Sequence, residues 1–141
     1  MKQQTLTIIK PECVAKHHIG DIIQRIEKAE FKIMAIKMVR LLPQEAQQFY
    51  LVHKDRPFYQ ELVQYMCSGK VVVMALEKEN CVDAFRKFIG ATNPKDAAPG
   101  TIRRDFGTDI QNNCVHASDS PENAQKEIAF FFSAKEIILN Q

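Results

Sequence analysis

Val71-Val-Val-Met-Ala-Leu76 is a continuous apolar run that begins just after the break at Ser68-Gly69. A run this short and rich in β-branched residues reads as a strand buried on both faces, because an exposed face would demand alternating polar residues. Such a strand belongs in the middle of a sheet, so the chain on either side must supply its neighbours. Upstream, Thr5-Leu-Thr-Ile-Ile9 alternates, is β-branched and stops at Lys10-Pro11, as a first strand would. Asp21 to Ala29 carries apolar residues at 22, 23, 26 and 29, the spacing of an amphipathic helix. Phe31 to Arg40 interleaves lysines with apolar residues and reads as a second strand. Pro43 suits the first turn of a helix carrying Ala46, Phe49, Tyr50 and Val52 or His53, and Asp55-Arg-Pro57 is a turn. Phe58 to Met66 is a further helical stretch with Phe58, Leu62, Val63 and Met66 on one side.

Downstream of the central run, Cys81 to Ile89 is helical with Val82, Phe85, Phe88 and Ile89 inward. Residues 90–113 carry three glycines and two prolines without sustained periodicity, and a loop that long in a compact domain is usually functional or disordered. Cys114 to Ala117 is a short strand. Ser120 then caps a helix whose first position is Pro121 and whose inward residues are Ala124, Ile128 and Phe131. The order β-α-β-α-α-β-α-β-α contains two βαβ-type units. It predicts an α+β fold, a ferredoxin-like sandwich with a four-stranded, mainly antiparallel sheet covered by helices, plus a long loop before the last strand.

Bulk properties narrow the function. The 141 residues are expected to form a single domain, 1–141, with ordinary apolar and charged content. A net charge of +2 with scattered basic residues argues against nucleic acid as the main partner. No window approaches the ~20 apolar residues that span a bilayer, and the N-terminus runs directly into a strand pattern, so a cytoplasmic location is expected. The four cysteines form no C-x-x-C pair. Cys13 with His17 and His18 is a loose metal-like cluster, better read as exposed helix-start residues. The other cysteines read as small buried hydrophobes, and Met34, Met38, Met66 and Met74 as core.

Asn113-Cys-Val-His-Ala-Ser-Asp-Ser120 concentrates the chemistry. Strand alternation puts His116 and Ser118 on one face and Val115 on the other. By itself His116 reads first as a satisfied core histidine. Glu127 lies at the edge of the apolar face of the last helix, as a solvated flank residue or as a partner for one ring nitrogen of His116. Lys10, Arg86 and Arg103 are individually ordinary surface charges, yet together with Thr92 they can converge on an anion. Neither Gly-rich phosphate cradle, G-x-x-x-x-G-K-[ST] or G-x-G-x-x-G, is present, so any phosphate must be held by side chains. Phe58 and Tyr50 read as core or helix-face aromatics.

Five segments occur in order: Thr7-Ile-Ile-Lys-Pro11, Asp55-Arg-Pro-Phe58, Gly90-Ala-Thr-Asn-Pro94, Pro99-Gly-Thr-Ile-Arg103 and Asn113-Cys-Val-His-Ala-Ser-Asp-Ser120. In combination, over essentially the whole chain, they resemble the nucleoside diphosphate kinase family. The resemblance implies ping-pong transfer of the terminal phosphoryl group of a nucleoside triphosphate, mainly ATP, to a nucleoside diphosphate through a phosphohistidine, maintaining NTP and dNTP pools. It implies His116 as nucleophile, with Tyr50, Ser118 and Glu127 around it. Lys10 and Asn113 match positions toward the ribose and phosphates, and His53, Arg86, Thr92 and Arg103 match positions toward the phosphates. Phe58 matches the aromatic on which the base stacks, with Leu62 nearby and Ile110 opposite. No resident metal is implied; Mg²⁺ arrives on the nucleotide phosphates. The family assembles as homotetramers or homohexamers. Three departures stand out: Ala117 replaces a glycine after the histidine, Glu12 replaces an aspartate, and Gly69-Lys70 replaces Gly-Pro. Two other readings compete, a non-catalytic nucleotide or nucleic-acid binder on the same scaffold, and a metal-binding protein using Cys13, His17 and His18.

Overall fold

The computed structural model describes residues 2–139. Strands β1 (Lys2–Ile9), β2 (Lys32–Val39), β3 (Val71–Glu79) and β4 (Val115–Ala117) form one sheet in the order β2-β3-β1-β4, and each neighbouring pair is antiparallel. β1 and β2 therefore run parallel with β3 between them, and β3 and β4 run parallel with β1 between them. These are the two split βαβ units of the ferredoxin-like plan. The central apolar run explains itself here. Val71, Val73 and Ala75 enter the core on one face of the sheet, and Val72, Met74 and Leu76 enter the core on the other.

Eight helices accompany the strands among the described residues: α1 (Pro11–Ala15), α2 (Ile19–Lys28), α3 (Pro43–Phe49), α4 (Tyr59–Met66), α5 (Cys81–Ile89), α6 (Ile102–Phe106), α7 (Pro121–Phe131) and α8 (Ala134–Leu139). Ile22 and Ile26 of α2 and Phe85 and Ile89 of α5 fill one core. Ala46, Val63, Met66 and Ile128, from α3, α4 and α7, fill the other. Ser120 caps α7 as its sequence implies, its hydroxyl accepting from the Asn123 N–H at 3.1 Å.

Several expectations need correction. The segment 90–113 is not structureless: it holds a 3₁₀ turn, Pro94–Asp96, and α6. Five helical residues are too few to show a period, and the Thr101 cap, accepting from the Arg104 N–H at 3.3 Å, was the only local signal. Gly90 opens this segment at φ +96°, and a Cβ there would lie 2.6 Å from Thr101 Oγ1, so both backbone and space require glycine. Met38 is half-exposed rather than core (50%). A register shift between Ile33 and Ala35 resets the alternation of β2, and this edge strand leaves Ile36 and Met38 in the open. Cys13 is buried, not exposed, because α1 turns it into the core beside Cys114. Cys67 is only partly buried.

Ala117 also finds its place. It pairs with Thr7 in β4, has no positive φ, and joins Val115 in the core on the face opposite His116. Its methyl group therefore points away from the histidine and needs no glycine-like backbone. Ala117→Gly should remove a buried methyl, worth about 0.8 kcal/mol, and add glycine's strand penalty of about 0.5–1 kcal/mol. The expected result is a lower urea midpoint at unchanged slope; an unchanged midpoint would contradict this placement.

Candidate active site

His116 is held from below by its strand and from the side by α7. The Thr7 hydroxyl donates to the His116 carbonyl at 2.8 Å, which locks the backbone between Val115 and Ala117. Glu127 Oε1 lies 2.8 Å from His116 Nε2 and accepts from the Ser118 hydroxyl at 2.7 Å. A carboxylate can only accept, so Nε2 carries the proton and the lone pair is left on Nδ1. Nδ1 has no hydrogen-bond partner among the described residues. Ser118 is fully buried, accepts from the Leu6 N–H at 3.2 Å, and ties the carboxylate to β1. Tyr50 sits 6.1 Å from the His116 ring, centroid to centroid. Its buried hydroxyl has no partner among the described residues, and burial followed by the Glu127 charge pushes that hydroxyl far above the usual phenol range.

The chain reaches His116 through a strained turn. Cys114 adopts φ +78°, and the Val115 N–H donates to the Asn113 carbonyl at 3.0 Å, closing a γ-turn around it. A non-glycine residue held this way costs on the order of 1–3 kcal/mol. The Lys10 N–H donates to the Cys114 carbonyl at 2.8 Å and fastens the turn to the end of β1. The reversal sends the Asn113 side chain back toward Lys10. Lys10 Nζ donates to Asn113 Oδ1 at 2.8 Å and to the Gln111 carbonyl at 3.2 Å, while Asn113 Nδ2 donates to the Thr92 carbonyl at 3.0 Å.

Positive charge gathers here, with Asp109 the carboxylate that acts on Lys10. Arg103 is 6% exposed, donates to the Val115 carbonyl at 2.9 Å and the Gly90 carbonyl at 3.3 Å, and has an Nε with no partner among the described residues. Its pKa is pushed down to about 10 by burial and by neighbouring Arg86. Burial and the Arg103 charge likewise bring the Lys10 ammonium down to about 8. A cleft of about 400 Å³ is lined by Arg86, Thr92 and Arg103, with Lys87 beside them.

Other expected residues lie further out. His53, in a 3₁₀ turn, packs against Phe58 at 5.5 Å between centroids, and Phe58 at the start of α4 is 44% exposed. Leu62 follows one turn along α4. Ile110 is 60% exposed and lines a second cleft, across from Glu61 of α4. Among the described residues no side-chain hydrogen bond or ring contact joins these four to the His116 cluster; the His53 backbone N–H donates to the Tyr50 carbonyl at 2.8 Å. The metal-like cluster dissolves: the Cys13 thiol donates to the Phe106 carbonyl, and His18 stacks on the Phe106 ring at 4.5 Å. Sequence reasoning missed Thr7, Gln111 and Phe49, whose ring lies 5.4 Å from that of His116. Only a backbone trace could have found the first two; Phe49 stood next to Tyr50 but read as plain core.

An imidazole with one nitrogen tethered to a carboxylate and the other unengaged, on a strand flanked by a buried lysine and a buried arginine, suits an enzyme that moves an anionic group. Known proteins identify the group. A family model described as nucleoside diphosphate kinase matches residues 3–137. A nucleoside diphosphate kinase of Chlamydia felis is 58% identical over 136 residues, 96% of each chain. Among solved structures, the Aquifex aeolicus nucleoside diphosphate kinase superposes with a TM-score of 0.95 at 47% identity, covering 97% of this chain and 99% of that one. The Encephalitozoon cuniculi enzyme superposes with a TM-score of 0.89 at 37% identity, covering 92% and 88%. The chain belongs to the nucleoside diphosphate kinase family and is an enzyme of phosphoryl transfer between nucleotides. The family's reaction uses a divalent cation. No three His, Cys, Asp or Glu side chains converge to cage one among the described residues, and the donors here are cationic. The site thus fits a cation that comes with phosphate oxygens and water as its ligands.

Buried Lys10 makes stability depend on pH. Its folded pKa, about 8, lies below the ordinary value of 10.5, so between those values the unfolded chain binds more protons and stability rises with pH. Relative to Lys10→Met, the unfolding free energy should climb by about 3 kcal/mol from pH 8 to pH 10.5. Parallel pH profiles for the two proteins would contradict a charged, desolvated Lys10.

Proposed function

We propose that the chain is a ping-pong nucleoside diphosphate kinase whose phosphoryl carrier is His116. The 2.8 Å contact between His116 Nε2 and Glu127 carries this reading, because it leaves Nδ1 as the nucleophilic nitrogen. In the first half-reaction the Nδ1 lone pair attacks the γ-phosphorus of a triphosphate, mainly ATP. The bond to the β–γ bridging oxygen breaks and the diphosphate departs. In the second, a terminal oxygen of another diphosphate attacks the same phosphorus, the N–P bond breaks, and imidazole is regenerated. A neutral imidazole needs no separate base for this, and Glu127 stabilises the positive charge that the ring gains in transfer.

Most of the catalysis is then positioning and charge neutralisation. Arg86, Arg103, Thr92 and His53 hold the phosphates, Lys10 and Asn113 bridge phosphate and ribose, and Tyr50 and Glu127 flank and orient the histidine. The forked guanidinium of Arg103, with Nε unengaged, suits phosphate oxygens. Phe58 stacks the base, with Leu62 beside it and Ile110 opposite. Stacking accepts any base, since each has a π-face, which fits service to both NTP and dNTP pools. Mg²⁺ is the cation, neutralising phosphate charge as it arrives on the nucleotide. The unit spans residues 1–141 as a single domain and works in the cytoplasm as a homotetramer or homohexamer. Among the described residues no helix is long and apolar enough to cross a membrane.

Intact mass after incubation with Mg-ATP tests this directly. One acid-labile phosphoryl group should be gained, and GDP should discharge it as GTP. No gain, or the same gain in His116→Ala, would overturn the reading.

A further inference from the structure

The Glu127 contact fixes where His116 Nε2 sits, but one hydrogen bond leaves the ring free to rock about the line to the carboxylate. The direction of the Nδ1 lone pair depends on what packs against the ring. Phe49, the last residue of α3, meets it at 5.4 Å between centroids with planes 69° apart, within the edge-to-face range. Tyr50 adds a second contact at 6.1 Å and 83°.

Phe49 is itself held in place. Its ring packs against Tyr50 at 4.9 Å, Phe130 at 5.3 Å and Phe131 at 5.2 Å. Phe130 and Phe131 stand three and four positions after Glu127 on α7, the spacing that puts them on the same helix face. One helix thus supplies both the carboxylate at Nε2 and the aromatic buttress behind Phe49. Phe49 is only partly buried, and Phe130 is exposed on the rim, so this cluster is not simply the sheet's core.

We propose that Phe49 is a positioning residue for phosphoryl transfer. It fixes the plane of the His116 ring, and with it the aim of Nδ1, and it keeps water from that side of the ring. The proposal rests on His116 being the phosphoryl carrier. In-line attack is demanding: a misplacement of about 1 Å can cost on the order of 100-fold in rate. A leucine would preserve the apolar contact but not the flat, rigid wall.

Rapid-quench phosphorylation of the full-length protein by Mg-ATP, with ADP binding measured separately, tests this. Phe49→Leu should slow phosphorylation by ~10-fold or more while ADP affinity stays within about 2-fold, and Phe49→Tyr should restore the rate. Phosphorylated Phe49→Leu should also lose its phosphoryl group to water faster than the unsubstituted protein when no acceptor is present. Should Phe49→Leu fold poorly, Phe130→Leu, which removes a rim buttress, should give a smaller loss of the same kind. An unchanged rate in the leucine variants, an equal loss in ADP affinity, or a tyrosine variant as slow as leucine would overturn the role. If the unsubstituted protein takes up no phosphoryl group, the carrier reading falls and this proposal with it.

Discussion

A single carboxylate oxygen, Glu127 Oε1, receives both the His116 imidazole and the Ser118 hydroxyl. Ser118 also accepts from the Leu6 backbone, so one atom of α7 is linked to both β1 and β4. The docking of α7, the pairing of the shortest strand and the tautomer of the histidine become one cooperative unit. Removing either partner would leave the other polar group with a buried side unmet, a larger loss than a solvent-facing pair would suffer.

Several unfavourable features converge on the same few residues. Cys114 holds a positive φ, Lys10 is buried as an ammonium, and Arg103 carries an Nε without a partner among the described residues. Each costs free energy in the ligand-free chain, and under the proposed function a polyphosphate would offset two of them by pairing with the buried cations. The backbone that fastens this arrangement, Lys10 N–H to Cys114 carbonyl, also sets Asn113 against Lys10. Strain and desolvated charge are thus concentrated on the few residues around the turn that leads into His116.

Much of this was legible in the sequence, and the failures have physical causes. The Val71–Leu76 run, the alternation of Thr5–Ile9 and the cap at Ser120 each obey one local rule, so the sheet and α7 could be read directly. The grouping of His116, Ser118 and Glu127 followed from strand alternation and helix spacing, although alone it favoured a structural histidine. What stayed hidden depended on tertiary contacts. A cysteine carries no mark of a positive φ, α6 was too short for periodicity, and the β2 bulge left Met38 exposed against its composition. Ala117, apparently at odds with the family's glycine, proved to occupy ordinary strand backbone on the far face from the histidine. Phe49 was legible as apolar but not as a neighbour of His116.

The tether at Nε2 makes a prediction about one atom. Protein labelled with ¹⁵N in its histidine rings, phosphorylated by Mg-ATP and observed by ³¹P–¹⁵N NMR, reports which nitrogen carries the phosphoryl group. The coupling is expected at Nδ1 of His116, with Nε2 still protonated toward Glu127. Phosphorylation at Nε2, or on any other side chain, would contradict the role assigned to that carboxylate.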